Sequence, residues 1–120
     1  MTYDEIKNTL LMIDDPVDRL EMVMDLGTRL TDVPDLAVCT DITGCASTVK
    51  ICIDGNRYYG WADSALVRGI VAILISMIDG KNIDEVKKMD LLGEFSSLQL
   101  NLGAGRVNGI NSMIRFLHNL

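Results

Sequence analysis

The stretch from Val67 to Ile78 limits the fold of this chain more than any other. Apolar residues stand at Val67, Ile70, Val71, Ile73, Leu74, Met77 and Ile78, at helical spacing but around most of the circumference instead of along one stripe. Such a helix has no face to give to water, so other elements must cover it on several sides. Asp63-Ser64 supplies capping residues before it, and Gly80 suits a left-handed stop after it. The apolar run from Ile70 to Ile75, extended to Ile78 across Ser76, falls well short of the roughly 20 residues that cross a bilayer. The segment therefore reads as the central helix of a globular core.

The flanking sequence supplies what must cover it. Thr2-Tyr3-Asp4-Glu5 has the form of a capping box, and Ile6, Leu10 and Ile13 follow at helical spacing. Asp15-Pro16 opens a second helix, with Val17, Leu20, Met24 and Leu26 as its buried stripe and fraying expected from Gly27 to Leu30. Thr31 to Thr40 reads as a connecting loop. The period then changes to two: Val49, Ile51 and Ile53 point one way, Thr48, Lys50 and Cys52 the other. Asp54-Gly55-Asn56 is turn chemistry, and Tyr58 to Ala62 resumes a strand, which makes an antiparallel hairpin. A third strand would come from Ala37 to Thr40.

Beyond the central helix, Asn82 with Glu85 starts a short helix that ends in Lys87-Lys88, and Leu91 to Leu102 holds another short helix and a turn. Gly103-Ala104-Gly105-Arg106 leads into a final amphipathic helix marked by Val107, Ile110, Met113, Ile114 and Leu117. The expected architecture is α+β: a small antiparallel sheet of about three strands packed against several helices, in a single domain spanning residues 1–120.

Composition narrows the function classes. The chain is 48% hydrophobic with 2 prolines, as a compact domain requires. Its net charge is −6 and its only basic cluster is Lys87-Lys88, which argues against nucleic acid as a partner. The start of the chain, Met1-Thr2-Tyr3-Asp4-Glu5, has neither a basic nor an apolar signal region, so a cytoplasmic protein without membrane attachment is expected. The 3 cysteines, Cys39, Cys45 and Cys52, include no CxxC pair, and the 1 histidine, His118, lies far away. Reduced thiols are expected, with no metal site and no cofactor.

Cys45 is the candidate reactive residue. It sits in Thr43-Gly44-Cys45-Ala46-Ser47, preceded by a glycine that takes positive φ at little cost and followed by small residues that leave the thiol on a tight turn. The competing reading is a small buried hydrophobe, and that reading is preferred for Cys39, in the loop, and for Cys52, on the strand. The methionines read as core fillers.

The residues that decide for Cys45 lie in four separate stretches. Leu26-Gly27-Thr28-Arg29-Leu30, Thr43-Gly44-Cys45-Ala46-Ser47-Thr48-Val49, Ala62-Asp63-Ser64-Ala65 and Gly105-Arg106-Val107-Asn108-Gly109-Ile110 together resemble the SufE/CsdE family of cysteine-desulfurase sulfur acceptors. The resemblance extends over nearly the whole chain. Ala46 stands where the family has glutamine, and Lys50 where tryptophan is common.

The resemblance implies a fold shared with iron-sulfur scaffold proteins of the IscU type. It implies a non-enzymatic carrier that takes persulfide sulfur from a desulfurase of the SufS/CsdA type on Cys45, stimulates that enzyme, and passes sulfur to a scaffold of the SufBCD type. Gly44 and Ser47 would shape the turn, and Asp63 and Arg106 would support it or bind the partner. Arg29 would be structural or partner-facing. Two other functions compete: a scaffold that binds metal through the three cysteines with Asp41 or Asp63, and an interaction module without sulfur chemistry.

Overall fold

In the computed structural model, which describes residues 1–120, six helices and a three-stranded sheet follow one another as α1 (Tyr3–Met12), α2 (Pro16–Gly27), β1 (Val38–Asp41), β2 (Val49–Asp54), β3 (Arg57–Ala62), α3 (Ala65–Ile78), α4 (Ile83–Lys88), α5 (Leu91–Ser96) and α6 (Ala104–His118). The expected α+β architecture is what the chain adopts. The sheet order is β1-β2-β3, antiparallel throughout. The third strand forms at Val38–Asp41, one residue later than expected at each end.

Helix α3 is the centre of the core, with Val67, Ile70, Val71, Ile73, Leu74, Met77 and Ile78 all buried. The sheet covers one side of it. Val49, Ile51, Tyr58, Gly60 and Ala62 face α3, and a Cβ built on Gly60 would lie 2.5 Å from Val71 Cγ1. Glycine at 60 thus lets β3 approach the helix closely. At its far end, the Gly80 amide donates to the Asn56 carbonyl at 2.8 Å, and the Asp79 carboxylate accepts from the Tyr58 amide at 3.1 Å. The hairpin turn is therefore fastened to the end of α3.

On another side, α2 crosses α3 at a notch made by two glycines. A Cβ on Gly69 would collide with the Val23 carbonyl oxygen, and one on Gly27 would lie 2.7 Å from the Gly69 amide nitrogen. This contact corrects the expected face of α2. Its buried residues are Val23, Leu26 and Gly27, whereas Val17 is 63% exposed and Met24 37% exposed. Of the expected Val17-Leu20-Met24-Leu26 stripe, Leu26 is buried and Leu20 half-buried, but the glycine notch draws in Val23 and Gly27 in place of Val17 and Met24. In α6 the same kind of correction applies to Val107, which is exposed while Ile110, Met113, Ile114 and Leu117 are buried.

Local end signals behave as their chemistry dictates. Thr2 with Glu5 and Asn82 with Glu85 both form complete capping boxes, and Asp15 caps α2 ahead of Pro16. Helix α1 is tied to α5 through Glu94, whose carboxylate accepts from Tyr3 Oη at 2.7 Å and Lys7 Nζ at 2.8 Å. Helix α6 is fastened at its end by His118, whose Nε2 lies 3.0 Å from the Met89 carbonyl oxygen. No helix is long and apolar enough to cross a membrane.

The expectation of reduced thiols throughout is overturned. Cys39 and Cys52 form a disulfide, because Cys39 belongs to β1 and stands directly opposite Cys52 in the register of β1 with β2. Only the strand pairing brings the two together. By the alternation of the strands the bond lies on the sheet face turned away from α3.

Candidate functional site

Cys45 sits on the loop between β1 and β2, and both roots of that loop are held. At the first root, the Ile42 amide donates to the Val49 carbonyl at 2.9 Å and the Ile42 side chain is buried in the core. At the second, Thr48 and Asp63 are joined twice: the Asp63 amide donates to the Thr48 carbonyl at 3.2 Å, and the Asp63 carboxylate accepts from the Thr48 amide at 3.2 Å. Asp63 is therefore not the cap of α3, as its position suggested. Ser64 is the N-cap, its Oγ accepting from the Val67 amide, and Asp63 turns back to the loop.

Between these roots the loop lies down on α6. Gly44 has φ +88°, in the left-handed region, and a Cβ there would lie 2.5 Å from Ser112 Oγ. Glycine is required twice over at this position, by backbone conformation and by space. The next residue places Cys45 Sγ 3.6 Å from the Gly109 carbonyl oxygen, to which it donates, and a Cβ on Gly109 would be only 3.3 Å from that sulfur. The thiol thus occupies a seat that a glycine leaves open in the wall of α6.

A cavity of about 140 Å³ adjoins the sulfur, lined by Ser47, Val67, Ile70, Arg106 and Met113 among others. Its floor is apolar, from α3 and α6. Its rim is polar, from Ser47, Ser64 and Arg106. Cys45 is half-buried, and burial alone pushes its thiol above its ordinary value. In this seat the neutral thiol is the favoured form, which protects it but slows it as a nucleophile.

Arg106 lies in the first turn of α6 on the rim of this cavity. Its guanidinium donates to the Leu102 carbonyl at 3.3 Å, and the residue is exposed. It forms none of the salt bridges in the structure. Of the residues singled out in the sequence, Gly44, Cys45, Ser47 and Arg106 come together here, and Asp63 holds the loop from its root. Arg29 does not join them. It is exposed at the end of α2, paired with Asp25 at 3.5 Å.

Two residues of the site were assigned no function of their own in the sequence, although Gly109 lies within one of its motifs. Ser112 is the surface on which Gly44 rests, and Gly109 provides the seat of the sulfur. Gly109 did carry a signal: a glycine in the interior of a helix costs about 1 kcal/mol relative to alanine, which asks for a close packing partner.

Cys45 is the one free cysteine of the chain. The Cys39–Cys52 disulfide occupies the other two sulfurs on the opposite face of the sheet, so the three cysteines do not converge as a metal-binding scaffold would need.

Fold and site together define an α+β protein with a single free thiol, carried on a loop clamped at both ends and seated against a helix. A family model described as "SufE: Fe-S metabolism associated domain" matches residues 4–120, and the chain belongs to the SufE family. An uncharacterized SufE-like protein of Rhizobium meliloti (strain 1021) is 31% identical over 95% of this chain and 90% of its own length. The sulfur acceptor protein CsdE of Escherichia coli (strain K12) is 27% identical over 94% of this chain and 83% of its own. Among solved structures, the solution structure of a hypothetical protein from Thermus thermophilus superposes with a TM-score of 0.78 at 12% identity. The superposition covers 99% of this chain and 94% of that one, which establishes the likeness of fold.

Proposed function

We propose that this protein accepts sulfane sulfur on Cys45 from a cysteine desulfurase of the SufS/CsdA type, stimulates that enzyme, and delivers the sulfur to an iron-sulfur scaffold of the SufBCD type in the cytoplasm. The observation that carries the reading is the seat of Cys45. The only free thiol of a SufE-family chain lies half-buried against Gly109, on a loop that is held at its roots by backbone and carboxylate hydrogen bonds and at its tip only by packing on α6 and the weak Cys45 Sγ–Gly109 contact.

The chemistry is thiol exchange. The Cys45 thiolate attacks the terminal sulfur of the desulfurase persulfide, a new S–S bond forms at Cys45, and the desulfurase cysteine leaves as a thiolate. Atoms and electrons balance without an outside oxidant or reductant. In the docked loop the thiol is held neutral, so the partner must lift it from its seat, after which its ionisation returns towards that of a free thiol. Asp63 sets the range of that movement by holding Thr48. Arg106 meets the desulfurase at the cavity rim and favours the anionic thiolate and persulfide once they form.

The test is to incubate the protein with a desulfurase and cysteine and to locate the added sulfur by intact mass and peptide mapping. The reading expects sulfur on Cys45 and expects Cys45→Ser to abolish both sulfur uptake and stimulation of the enzyme. An unchanged stimulation in Cys45→Ser would contradict it.

A further inference from the structure

The sheet carries a second sulfur site, on the face away from α3. Ladder bonds in an antiparallel pair alternate along the strands. Since the Ile42 amide bonds the Val49 carbonyl, the Cys39–Cys52 position three residues along is a non-hydrogen-bonded pair, where opposite side chains approach most closely. The two cysteines differ in access: Cys39 is exposed on the edge strand and lines an open cavity, whereas Cys52 is 0% exposed. A nucleophile from solvent therefore reaches the disulfide at Cys39.

Beside Cys39 opens a cavity of about 350 Å³, with Lys50 and Trp61 on its wall and Asp32 and Val33 from the connecting loop. Lys50 forms none of the salt bridges in the structure. Its ammonium favours the approach of a thiolate, and the cavity is large enough to admit a small thiol compound.

We propose that Cys39–Cys52 is a reversible thiol–disulfide site, opened at Cys39 by a low-molecular-weight thiol, whose redox state sets how firmly the Cys45 loop is rooted. An incoming thiolate attacks Cys39 Sγ, the Cys39–Cys52 bond breaks, and Cys52 leaves as a thiolate that takes up a proton. A second thiol then attacks the mixed disulfide and releases Cys39. The reductant is oxidised to its own disulfide, and two electrons pass to the protein.

The coupling to the loop follows from the character of β1. It is four residues long, it is an edge strand, and every one of its residues is exposed, so no buried side chain anchors it. Only its ladder and the disulfide hold it to β2. Its next residue is Ile42, the first root of the Cys45 loop. Reduction leaves the ladder and the buried Ile42 side chain to hold that root, and the loop moves more freely. This property does not depend on what Cys45 accepts.

The experiment equilibrates the full chain in buffers of graded glutathione to glutathione-disulfide ratio. The thiol state of each cysteine is read by labelling after denaturation, and the rate of Cys45 alkylation by iodoacetamide is read on the native protein. Under oxidising ratios, Cys39 and Cys52 are blocked and Cys45 reacts slowly. Under reducing ratios, all three thiols are recovered and native Cys45 reacts several-fold faster. Cys39→Ala, at an exposed position, reacts at the fast rate whatever the ratio. Free Cys39 and Cys52 at every ratio, a disulfide that survives excess thiol, or a Cys45 rate that is the same in both states and in Cys39→Ala would overturn the proposal.

Discussion

The carboxylate of Asp63 accepts the amide of Thr48 at 3.2 Å while the Asp63 amide bonds the Thr48 carbonyl, also at 3.2 Å. One residue at the mouth of α3 thus closes the loop that carries Cys45. The side-chain arm of this pair is exposed, so its loss costs little overall stability, about 1 kcal/mol. Its effect falls on the loop. Asp63→Ala is expected to raise the rate at which native Cys45 is alkylated several-fold with only a small drop in melting temperature. An alkylation rate equal to that of the parent would remove Asp63 from the account.

Gly44 tests the other contact of the loop. Any side chain there meets both a φ of +88° and the Ser112 hydroxyl 2.5 Å from its Cβ. Gly44→Ala therefore displaces the loop tip from α6, at a cost of about 1–2 kcal/mol read by chemical denaturation. If steric displacement is the cause, Ser112→Ala in the same chain recovers part of the loss, because it removes the hydroxyl but leaves the backbone penalty.

The pH dependence of Cys45 has a definite sign. Its folded-state value lies above the ordinary one because burial disfavours the thiolate. The neutral thiol therefore contributes stability that is present below the unfolded value and is lost as pH rises through the folded one. Reactivity runs the opposite way: alkylation of native Cys45 should keep climbing at a pH where a free thiol of pKa about 8.5 has levelled off. A profile that levels off together with that of the free thiol, or below it, would show that the thiol is not shielded.

Arg106 separates a structural role from one at the interface. It is exposed, and its one hydrogen bond, to the Leu102 carbonyl at 3.3 Å, joins it to the chain just ahead of α6. Arg106→Ala should change the denaturation midpoint by no more than about 0.5 kcal/mol equivalent. It should lower the rate of sulfur transfer from the desulfurase about tenfold, the effect of losing one charged contact worth roughly 1.4 kcal/mol. Arg106→Lys, which keeps the charge, should recover part of that rate.

What could be read from the sequence divides along the range of the interactions. The capping boxes at Thr2 and Asn82, the hairpin turn at Gly55 and the all-round apolar face of α3 depend on residues a few positions apart, and each formed where its chemistry indicated. The buried face of α2 was legible only at Leu26, because Gly69, far along the chain, provides the notch that selects Val23 and Gly27. The Cys39–Cys52 bond escaped for the same reason, since it exists only once β1 and β2 are in register. At the site, Cys45, Gly44 and Arg106 stood out as motif residues. The seat at Gly109 and the clamp at Thr48 needed the loop to be laid on α6.

The most direct test follows one sulfur atom. The protein, a desulfurase and cysteine are mixed, the reaction is stopped with an alkylating agent, and the modified peptides are mapped. The account predicts a persulfide on the peptide carrying Cys45 and on no other, with Cys45→Ser taking up none. Sulfur found on Cys39 or Cys52 while Cys45 stays a free thiol, or a Cys45→Ser chain that still takes up sulfur, would contradict it.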